Sequence, residues 1–355
     1  MMNISKNISK QCTFDYMICG KNSMYENEIK KLGGKVFYYT NKKNNFFKNI
    51  KEIYDIIKSN RKENDIFYYN TSGTYYLYPY IIAKFFGYKV VTHAHNTMQP
   101  GLNIIFKFLN LINRKIINKT TDIKLSCSDL AAEWVYGKKV KDVIIIENGI
   151  DINKYKYNIA IRNKLRKQFG VKDKDIIIGN VGRLEESKNQ KFLIKVFQSV
   201  LQEKREMKLW IVGNGSLKEE LQKEVKENKI SNVTFMGNRN DVNELLQAMD
   251  LFVFPSKYEG FPITLVEAQT AGLKCLVSDS ITKTVKITDL VEFLSINSGI
   301  NIWKDKILEN INYERKDMTT TVENMGFSQR SSAKKIEKIL FSISRRIVEW
   351  KYLNY

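Results

Sequence analysis

Short apolar segments alternate with longer amphipathic stretches along the chain. Segments of four to six residues rich in β-branched and aromatic side chains predict buried strands, and apolar residues at intervals of three and four predict helices. In the first part, this pattern predicts strands at Phe14–Cys19, Val36–Tyr39, Ile66–Tyr69, Val90–His93, Ile123–Ser126 and Val143–Ile146. It predicts helices at Phe46–Lys58, Tyr75–Phe86, Leu102–Asn118 and Asp129–Tyr136. The alternation indicates βαβ units in a parallel sheet.

The alternation starts again after Asn148-Gly149, a turn dipeptide suited to an interdomain connection. Strands are then predicted at Ile176–Val181, Leu209–Val212, Val233–Phe235, Leu251–Phe254 and Lys274–Val277. Helices are predicted at Lys191–Gln202, Leu217–Glu227, Val242–Ala248 and Thr264–Ala271. A chain of 355 residues suits two cores better than one. We therefore predict two α/β domains, 1–150 and 151–329, and a final amphipathic helix over about 330–355.

Composition and cysteine spacing argue against several classes of protein. No run of 18 or more apolar residues occurs, so no membrane-spanning helix is predicted, and the N-terminus has no apolar signal-peptide core. The four cysteines form no CxxC pair and no spacing typical of zinc. These features predict a cytoplasmic protein with reduced thiols and no bound metal.

The net charge of +20 raises three possible partners: nucleic acid, an anionic membrane surface, or a phosphorylated substrate. A general abundance of lysine explains the charge equally well, because the charge is scattered. No zinc finger, stacking motif or clustered basic helix supports a nucleic-acid-binding protein. The stretch Ile104–Ile117 is apolar with basic residues late in the segment, which suits either a peripheral membrane contact or an ordinary core-packing helix.

Candidate chemistry lies in the segments that follow the strands of the second half, because ligands of open α/β sheets bind beyond the carboxyl ends of the strands. After Leu251–Phe254, the chain turns through Glu259 into a helix that begins near Pro262 and contains Glu267. The free amides of a helix start favour a phosphate group, and the carboxylates suit sugar or ribose hydroxyls. The alternative is that both acids only favour the helix N-terminus.

Three further segments follow neighbouring strands. Arg183 and Lys188 follow Ile176–Val181 and are suited to neutralise a diphosphate, although a solvated basic loop is the simpler alternative. In Gly213–Glu219, two glycines permit a tight turn, and Ser216 and Glu219 predict a capping box. Asn238-Arg239 follows Val233–Phe235 and suits a contact with a nucleotide base, although turn chemistry also explains it.

The only two histidines, His93 and His95, lie at the end of a predicted strand. Residues two apart on a strand point to the same side. No acid or cysteine adjoins them to complete a metal site, so we predict a polar contact with the transferred sugar for one and a structural role for the other.

Together these motifs resemble the retaining GT-B glycosyltransferases of family 4, especially bacterial exopolysaccharide and capsule enzymes. The resemblance extends from Cys12 to beyond Phe327. It rests on Glu259 and Glu267 separated by seven residues, on Arg183 and Lys188, and on the segments 93–96, 148–151 and 240–242.

The resemblance implies two Rossmann-like domains with parallel sheets facing across a cleft, and a C-terminal helix that crosses back to the first domain. It also implies transfer of a hexosyl-type sugar with retention, from a UDP-sugar held by the second domain, to a saccharide or polyprenyl-linked acceptor on the first-domain side. No metal and no other cofactor is implied. Such an enzyme of surface polysaccharide synthesis is expected in the cytoplasm, with possible peripheral contact at the inner face of the membrane.

The resemblance also assigns roles to residues. Glu259 is expected to hold the donor sugar at its reacting face, and Glu267 to bind the ribose hydroxyls. Arg183 and Lys188 are expected to take the diphosphate charge, and His95 to reach the sugar. The remaining donor-binding residues are expected to be Gly182, Asn238, Arg239, Gly260, Phe261, Pro262, Ile263 and Thr264.

Two departures from the family pattern bear on activity. The first strand and glycine-rich loop of the family have no counterpart before Cys12, so a misassigned start and a weakened or non-catalytic sugar-nucleotide-binding protein are both alternatives. Ser278–Lys283 replaces a glycine-rich, acid-containing turn, which indicates a subgroup trait.

Overall fold

The computed structural model describes residues 1–9, 12–61, 65–71, 73–74, 76–95 and 104–343. The chain divides into two units. Unit 1 joins Met1–Gly149 to the segment that begins at Gln329, and unit 2 is Ile150–Ser328. None of the helices in the described ranges combines the length and the hydropathy needed to cross a bilayer.

Unit 1 contains two parallel sheets among its described residues, one of two strands and one of four. The strands, in chain order, are β1 (Tyr16–Cys19), β2 (Val36–Tyr39), β3 (Ile66–Thr71), β4 (Lys89–Ala94), β5 (Ile123–Ser126) and β6 (Val143–Ile145). β1 pairs with β2, and the order of the other sheet is β3-β4-β5-β6. The helices are α1 (Met2–Asn7), α2 (Glu26–Lys31), α3 (Phe46–Ser59), α4 (Tyr78–Phe85), α5 (Ile104–Thr120) and α6 (Asp129–Val135).

The last described helix, α15 (Gln329–Ile343), completes the core of unit 1. Ile336 and Leu340 are buried against Val91, Leu125 and Ile146 of the four-stranded sheet region. The helix repeats its apolar residues at helical spacing, so one face is buried and the other carries charged residues. The predicted helical residues beyond 343 lie outside the described residues.

Unit 2 is built around one parallel sheet of six strands, in the order β12-β11-β10-β7-β8-β9. The strands are β7 (Ile176–Val181), β8 (Met207–Val212), β9 (Val233–Gly237), β10 (Leu251–Phe254), β11 (Lys274–Ser278) and β12 (Val291–Leu294). The helices are α7 (Ile152–Tyr155), α8 (Ile159–Gln168), α9 (Gln190–Glu203), α10 (Lys218–Glu227), α11 (Val242–Ala248), α12 (Ile263–Thr270), α13 (Ile300–Asn310) and α14 (Thr319–Asn324). Buried apolar residues on both faces of the sheet form its core.

The predicted α/β class and the parallel pairing of the strands are confirmed. The prediction of one sheet in the first half was wrong in one respect, because β1 and β2 form a sheet separate from β3–β6. The predicted capping box of α10 was also wrong. The helix begins at Lys218 after Leu217, with no side-chain cap, so Ser216 lies one position too early to serve as the N-cap.

Candidate active site in unit 2

The sheet of unit 2 reverses its strand order at β7, which pairs with β8 on one side and with β10 on the other. Ligands of open parallel sheets bind outside the carboxyl ends of the strands at such a reversal. Two loops leave the sheet at this point, one after Val181 and one after Phe254. These loops carry most of the predicted donor-binding residues.

An ion pair joins the two loops. Lys188 Nζ lies 2.5 Å from Glu259 Oε1, and the two side chains are only 17% and 11% exposed. The Lys188 ammonium also lies 5.6 Å from the centre of the Phe254 ring, so the end of β10 helps to position it. Lys188, which is predicted to bind the diphosphate, and Glu259, which is predicted to bind the sugar, are therefore held together at the β7–β10 reversal.

Further hydrogen bonds and a second ion pair reinforce this connection. The Lys257 amide donates to the Ser187 carbonyl over 2.8 Å, and Asn189 Nδ2 donates to the Pro255 carbonyl over 3.1 Å. The Lys257 ammonium also pairs with the Glu186 carboxylate. These contacts fix the two loops relative to each other, which is what a preorganised binding site requires.

Helix α12 starts directly after the second loop. Pro262 is its N-cap residue and cannot donate a hydrogen bond, and no side chain caps the helix. Within the described part of the chain, the amides of Ile263 and Thr264 donate to no other residue, so they remain available to a phosphate oxygen. Gly260 and Phe261 precede the helix, and the Phe261 ring stacks on Phe327 with centroids 5.4 Å apart.

Glu267 lies in the second turn of α12 and is oriented by a residue that the sequence did not indicate. Tyr155 donates a hydrogen bond from its hydroxyl group to Glu267 Oε1 over 2.7 Å. Burial raises the pKa of Glu267, and the bond from Tyr155 and the charge of Lys154 partly oppose that shift. Tyr155 ends a four-residue helix distant in sequence, and no motif links the two positions.

The predicted arginines lie apart from the Lys188–Glu259 pair. Arg183 is 74% exposed on its side chain and pairs with Glu185 over 2.8 Å. Arg239 makes a forked contact with Asp241, at 2.8 and 2.6 Å, and Asn238 is exposed. Neither arginine contacts Lys188, Glu259 or Glu267 within the described residues.

The glycines after β8 are needed for packing against the loop after β7. A Cβ atom on Gly213 would lie 2.0 Å from the Gly182 carbonyl oxygen, and Gly213 also has a φ of +136°. A Cβ atom on Gly215 would lie 2.3 Å from the Leu184 carbonyl oxygen. The close approach at these glycines is thus made to the backbone of Gly182 and Leu184, on either side of Arg183.

In unit 1, the two histidines lie side by side at the end of β4, with ring centroids 4.1 Å apart. His93 is 2% exposed and its Nδ1 shares a 2.7 Å hydrogen bond with the Tyr68 hydroxyl group. His95 Nε2 lies 2.8 Å from Asn70 Oδ1. Burial lowers the pKa of His93 to about 2 and that of His95 to about 4, so both rings are neutral near pH 7. The predicted contact of His95 with the sugar stays a prediction, and Asn96 lies outside the described residues.

The chemistry available in unit 2 is that of binding an anion and hydroxyl groups. Lys188 and the start of α12 offer positive charge and free amides, and Glu259 and Glu267 offer acceptors for hydroxyl groups. Among the described residues, no group of three histidines, cysteines or acids is arranged to hold a metal ion.

Comparison with known proteins identifies relatives that cover most of the chain. Residues 161–311 match the family described as "Glycosyl transferases group 1". The chain is 30% identical over 317 residues to the putative glycosyltransferase EpsF of Bacillus subtilis, covering 86% of this chain and 82% of that protein. It is 26% identical over 312 residues to an Escherichia coli UDP-Gal:alpha-D-GlcNAc-diphosphoundecaprenol alpha-1,3-galactosyltransferase, covering 82% and 78%.

Solved structures share the fold. The Anabaena protein HepE in complex with UDP superposes with a TM-score of 0.70 at 19% identity, over 99% of this chain and 96% of that one. A glycosyltransferase from Rickettsia africae superposes with a TM-score of 0.74 at 17% identity, over 97% and 95%. The two-domain α/β fold with parallel sheets is therefore shared with solved glycosyltransferases.

Proposed function

Because this chain belongs to the group 1 glycosyl transferases, we propose that it transfers a hexosyl-type sugar from a UDP-linked donor with retention of configuration. The proposed acceptor is a saccharide or a polyprenyl-linked sugar in surface polysaccharide synthesis. The observation that carries the proposal is the Lys188–Glu259 pair at the β7–β10 reversal, beside the uncapped start of α12.

The names of relatives support this choice of substrates. The Escherichia coli relative acts on UDP-Gal and a diphosphoundecaprenol-linked sugar, by its name. A Campylobacter jejuni relative, 27% identical over 209 residues, is named for a diphospho-undecaprenol-linked acceptor. HepE has been crystallised with UDP-glucose.

The proposed reaction breaks the bond between the anomeric carbon of the sugar and the diphosphate oxygen. The acceptor hydroxyl oxygen forms the new glycosidic bond, and its proton passes to the departing diphosphate oxygen. Negative charge develops on the departing UDP. Lys188 and the amides of Ile263 and Thr264 are positioned to stabilise that charge. Glu259 faces the electron-poor sugar, and Glu267 accepts hydrogen bonds from the ribose hydroxyls.

We also propose that turnover needs no divalent metal, because side-chain cations and helix amides serve the leaving group. Arg183 is exposed, and its guanidinium pairs with no described residue other than Glu185, so it is free to turn towards a diphosphate once the donor is bound. Turnover unchanged by a metal chelator is expected, and loss of turnover that is restored by Mg²⁺ or Mn²⁺ would contradict this part of the proposal.

Donor binding and turnover test the main proposal. A panel of nucleotide sugars is compared by the shift of melting temperature, and UDP-sugars are expected to give the largest shift. Turnover of the best donor is then measured for Glu259→Gln and Glu267→Gln. We expect kcat to fall by about 100-fold in the first variant. In the second, the donor KM should rise by about tenfold.

The matched control is Glu220→Gln, which removes an exposed carboxylate of α10 that pairs with Lys191 of α9 in the same unit. This variant is expected to keep the parent kcat and KM. Absence of any shift with UDP-sugars, or full turnover in Glu259→Gln, would overturn the proposal.

A further inference from the structure

Two carboxamide side chains directly follow Lys188, at the start of α9. Asn189 Nδ2 donates to the Pro255 carbonyl, in the loop after β10, over 3.1 Å. Gln190 Nε2 donates to the Arg183 carbonyl, in the loop after β7, over 3.0 Å. The Asn189 side chain does not cap α9, although Asn189 is the N-cap residue. Each of the two loops at the β7–β10 reversal is therefore bonded to one of these side chains.

The backbone of Asn189 has a conformation that residues other than glycine seldom adopt. Its φ is +57° and its ψ is 35°, in the left-handed region. Glycine adopts this region without steric cost, so the conformation alone favours glycine at this position. Among the described residues, the Asn189 side chain makes a hydrogen bond to the Pro255 carbonyl and to no other group. We infer that asparagine serves this position through that bond.

Gln190 is buried with an unsatisfied oxygen. The residue is 1% exposed, and its Oε1 has no hydrogen-bond partner within the described ranges. An unpaired buried acceptor destabilises a fold, whereas an apolar side chain of similar size does not carry this cost. The Arg183 carbonyl would also stay bonded without Gln190, because the Glu185 amide donates to it over 3.0 Å. Stability therefore does not account for a glutamine at this position.

Both side chains are close in sequence to the groups that the proposed reaction uses. Lys188 immediately precedes Asn189, and Glu259 lies in the loop that contains Pro255. If either loop shifts, the contact between Lys188 Nζ and Glu259 Oε1 changes. Stabilisation of a developing charge depends on a cation that is already in place, so a small displacement of Lys188 lowers the rate of transfer.

We propose that Asn189 and Gln190 are positioning residues for sugar transfer. They hold residues 183–188 and 255–259, which we call the donor loops, in place relative to each other. They act through backbone carbonyls of these loops and do not contact the donor. The proposal rests on the proposed function, because the roles of Lys188 and Glu259 in transfer make the placement of the donor loops important.

Two substitutions test the proposal, and each removes one bond with little net effect on stability. Asn189→Gly loses the bond to Pro255 but relieves the left-handed backbone, and Gln190→Met loses the bond to Arg183 together with the unsatisfied oxygen. In the free protein, hydrogen exchange should become faster in the donor loops of both variants. Their melting temperatures should change by less than about 3 °C.

Turnover of the best UDP-sugar is then compared in the same variants. We expect kcat to fall by about tenfold, because charge on the departing diphosphate is greatest in the transition state. The donor KM should change by less than about threefold, since interactions that strengthen only in the transition state do not contribute to binding of the substrate.

Two matched controls have the same features away from the site. Asn232→Gly in unit 2 replaces an asparagine with a φ of +61°, whose Nδ2 donates to the Arg205 carbonyl over 3.0 Å. Asn118→Leu in unit 1 removes a carboxamide that donates to the Tyr136 carbonyl over 2.9 Å. Its Oδ1 is buried and, within the described residues, has no partner. Both controls should keep the parent kcat, donor KM and exchange of the donor loops.

Unchanged exchange in the donor loops of both test variants would overturn the proposal, whether or not the protein turns over a nucleotide sugar. The parent kcat in both variants, or an equal loss in the controls, would also overturn it. A raised donor KM at the parent kcat would assign the two residues to donor binding instead. If exchange responds as expected but the parent protein turns over no nucleotide sugar, the proposed function fails and the connection between the donor loops stands.

Discussion

Tyr155 illustrates how one hydroxyl group determines the presentation of a carboxylate. Its bond to Glu267 Oε1 fixes one oxygen of a buried acid whose pKa is raised by burial. The bond opposes that rise, so it helps Glu267 to remain a carboxylate that can accept hydrogen bonds from hydroxyl groups. Tyr155 is therefore a positioning residue for donor binding and does not itself contact the reacting atoms in the proposed mechanism.

We predict that Tyr155→Phe raises the donor KM by about tenfold, the value of one hydrogen bond to a charged group, with little change in kcat. The pKa of Glu267 should rise further in the variant. As the pH is lowered, the donor affinity of the variant should therefore begin to fall at a higher pH than that of the parent. Steady-state kinetics across pH measure both effects. Tyr88→Phe in unit 1 is the control, because it also removes a tyrosine hydroxyl group that donates one hydrogen bond, there to the neutral Ile57 carbonyl.

His93 makes the stability of unit 1 sensitive to acid. Burial, and then the charges of His95 and the amino terminus, lower the pKa of His93 to about 2, whereas the unfolded chain retains the ordinary value of about 6.5. Below pH 6.5 the unfolded state binds a proton that the folded state excludes. The contribution to stability is therefore complete above pH 6.5 and declines as the pH falls towards the lowered pKa.

We predict that His93→Asn, which retains an acceptor for the Tyr68 hydroxyl group, lowers the melting temperature at pH 7.5 but makes it less dependent on pH. At pH 5 the parent should have lost up to about 2 kcal/mol through this histidine. Unfolding of parent and variant at pH 7.5 and pH 5 gives the comparison. An equal loss in both proteins would show that His93 does not cause the acid sensitivity.

Among the elements, α15 supplies buried apolar side chains to the core of unit 1 although it is separated from the rest of that unit in sequence. We predict that Ile336→Ala, at a fully buried position, lowers the free energy of unfolding of unit 1 by about 2–5 kcal/mol. Hydrogen exchange resolved along the chain should show faster exchange in β4 and β5, with unit 2 unchanged. Lys338→Ala on the exposed side of the same helix is the control. Equal protection in the two variants would contradict this role.

Regular apolar periodicity made many elements predictable. β2, β5, β7 and β10 have the predicted bounds, because each is a short apolar run between turn signals. β12 was missed because Glu292 interrupts its apolar residues, a composition that the edge of a sheet tolerates. The short helices α1, α2, α7 and α14 were also missed, since four to six residues are too few to show helical periodicity.

The candidate site was predictable only where local sequence determines it. The rule for parallel sheets located the loops that carry Lys188 and Glu259, and the structure shows that their side chains form an ion pair. Tyr155 was not predictable, because it reaches Glu267 through tertiary packing over 112 positions of sequence. The local acid partners of Arg183 and Arg239 were overlooked, although Glu185 and Asp241 are each two residues away.

For the whole molecule, the predicted two-domain α/β fold is confirmed by the parallel sheets and by the solved structures that share the fold. The separation of β1–β2 from β3–β6 was not predictable, since periodicity indicates strands but not which strands pair. The net charge of +20 identifies no partner by itself. The positions of the charged residues are more informative than the sum of their charges, as the pairing of Lys188 with Glu259 shows.

The position of α15 has a consequence for biosynthesis. Unit 2 is one continuous segment, whereas unit 1 combines the segment before unit 2 with a helix that follows unit 2. During translation the later unit can therefore fold while the earlier one still lacks Ile336 and Leu340 to cover Val91 and Leu125. The nascent first unit carries uncovered apolar surface until α15 has been synthesised, and that interval is when chaperones are expected to bind it.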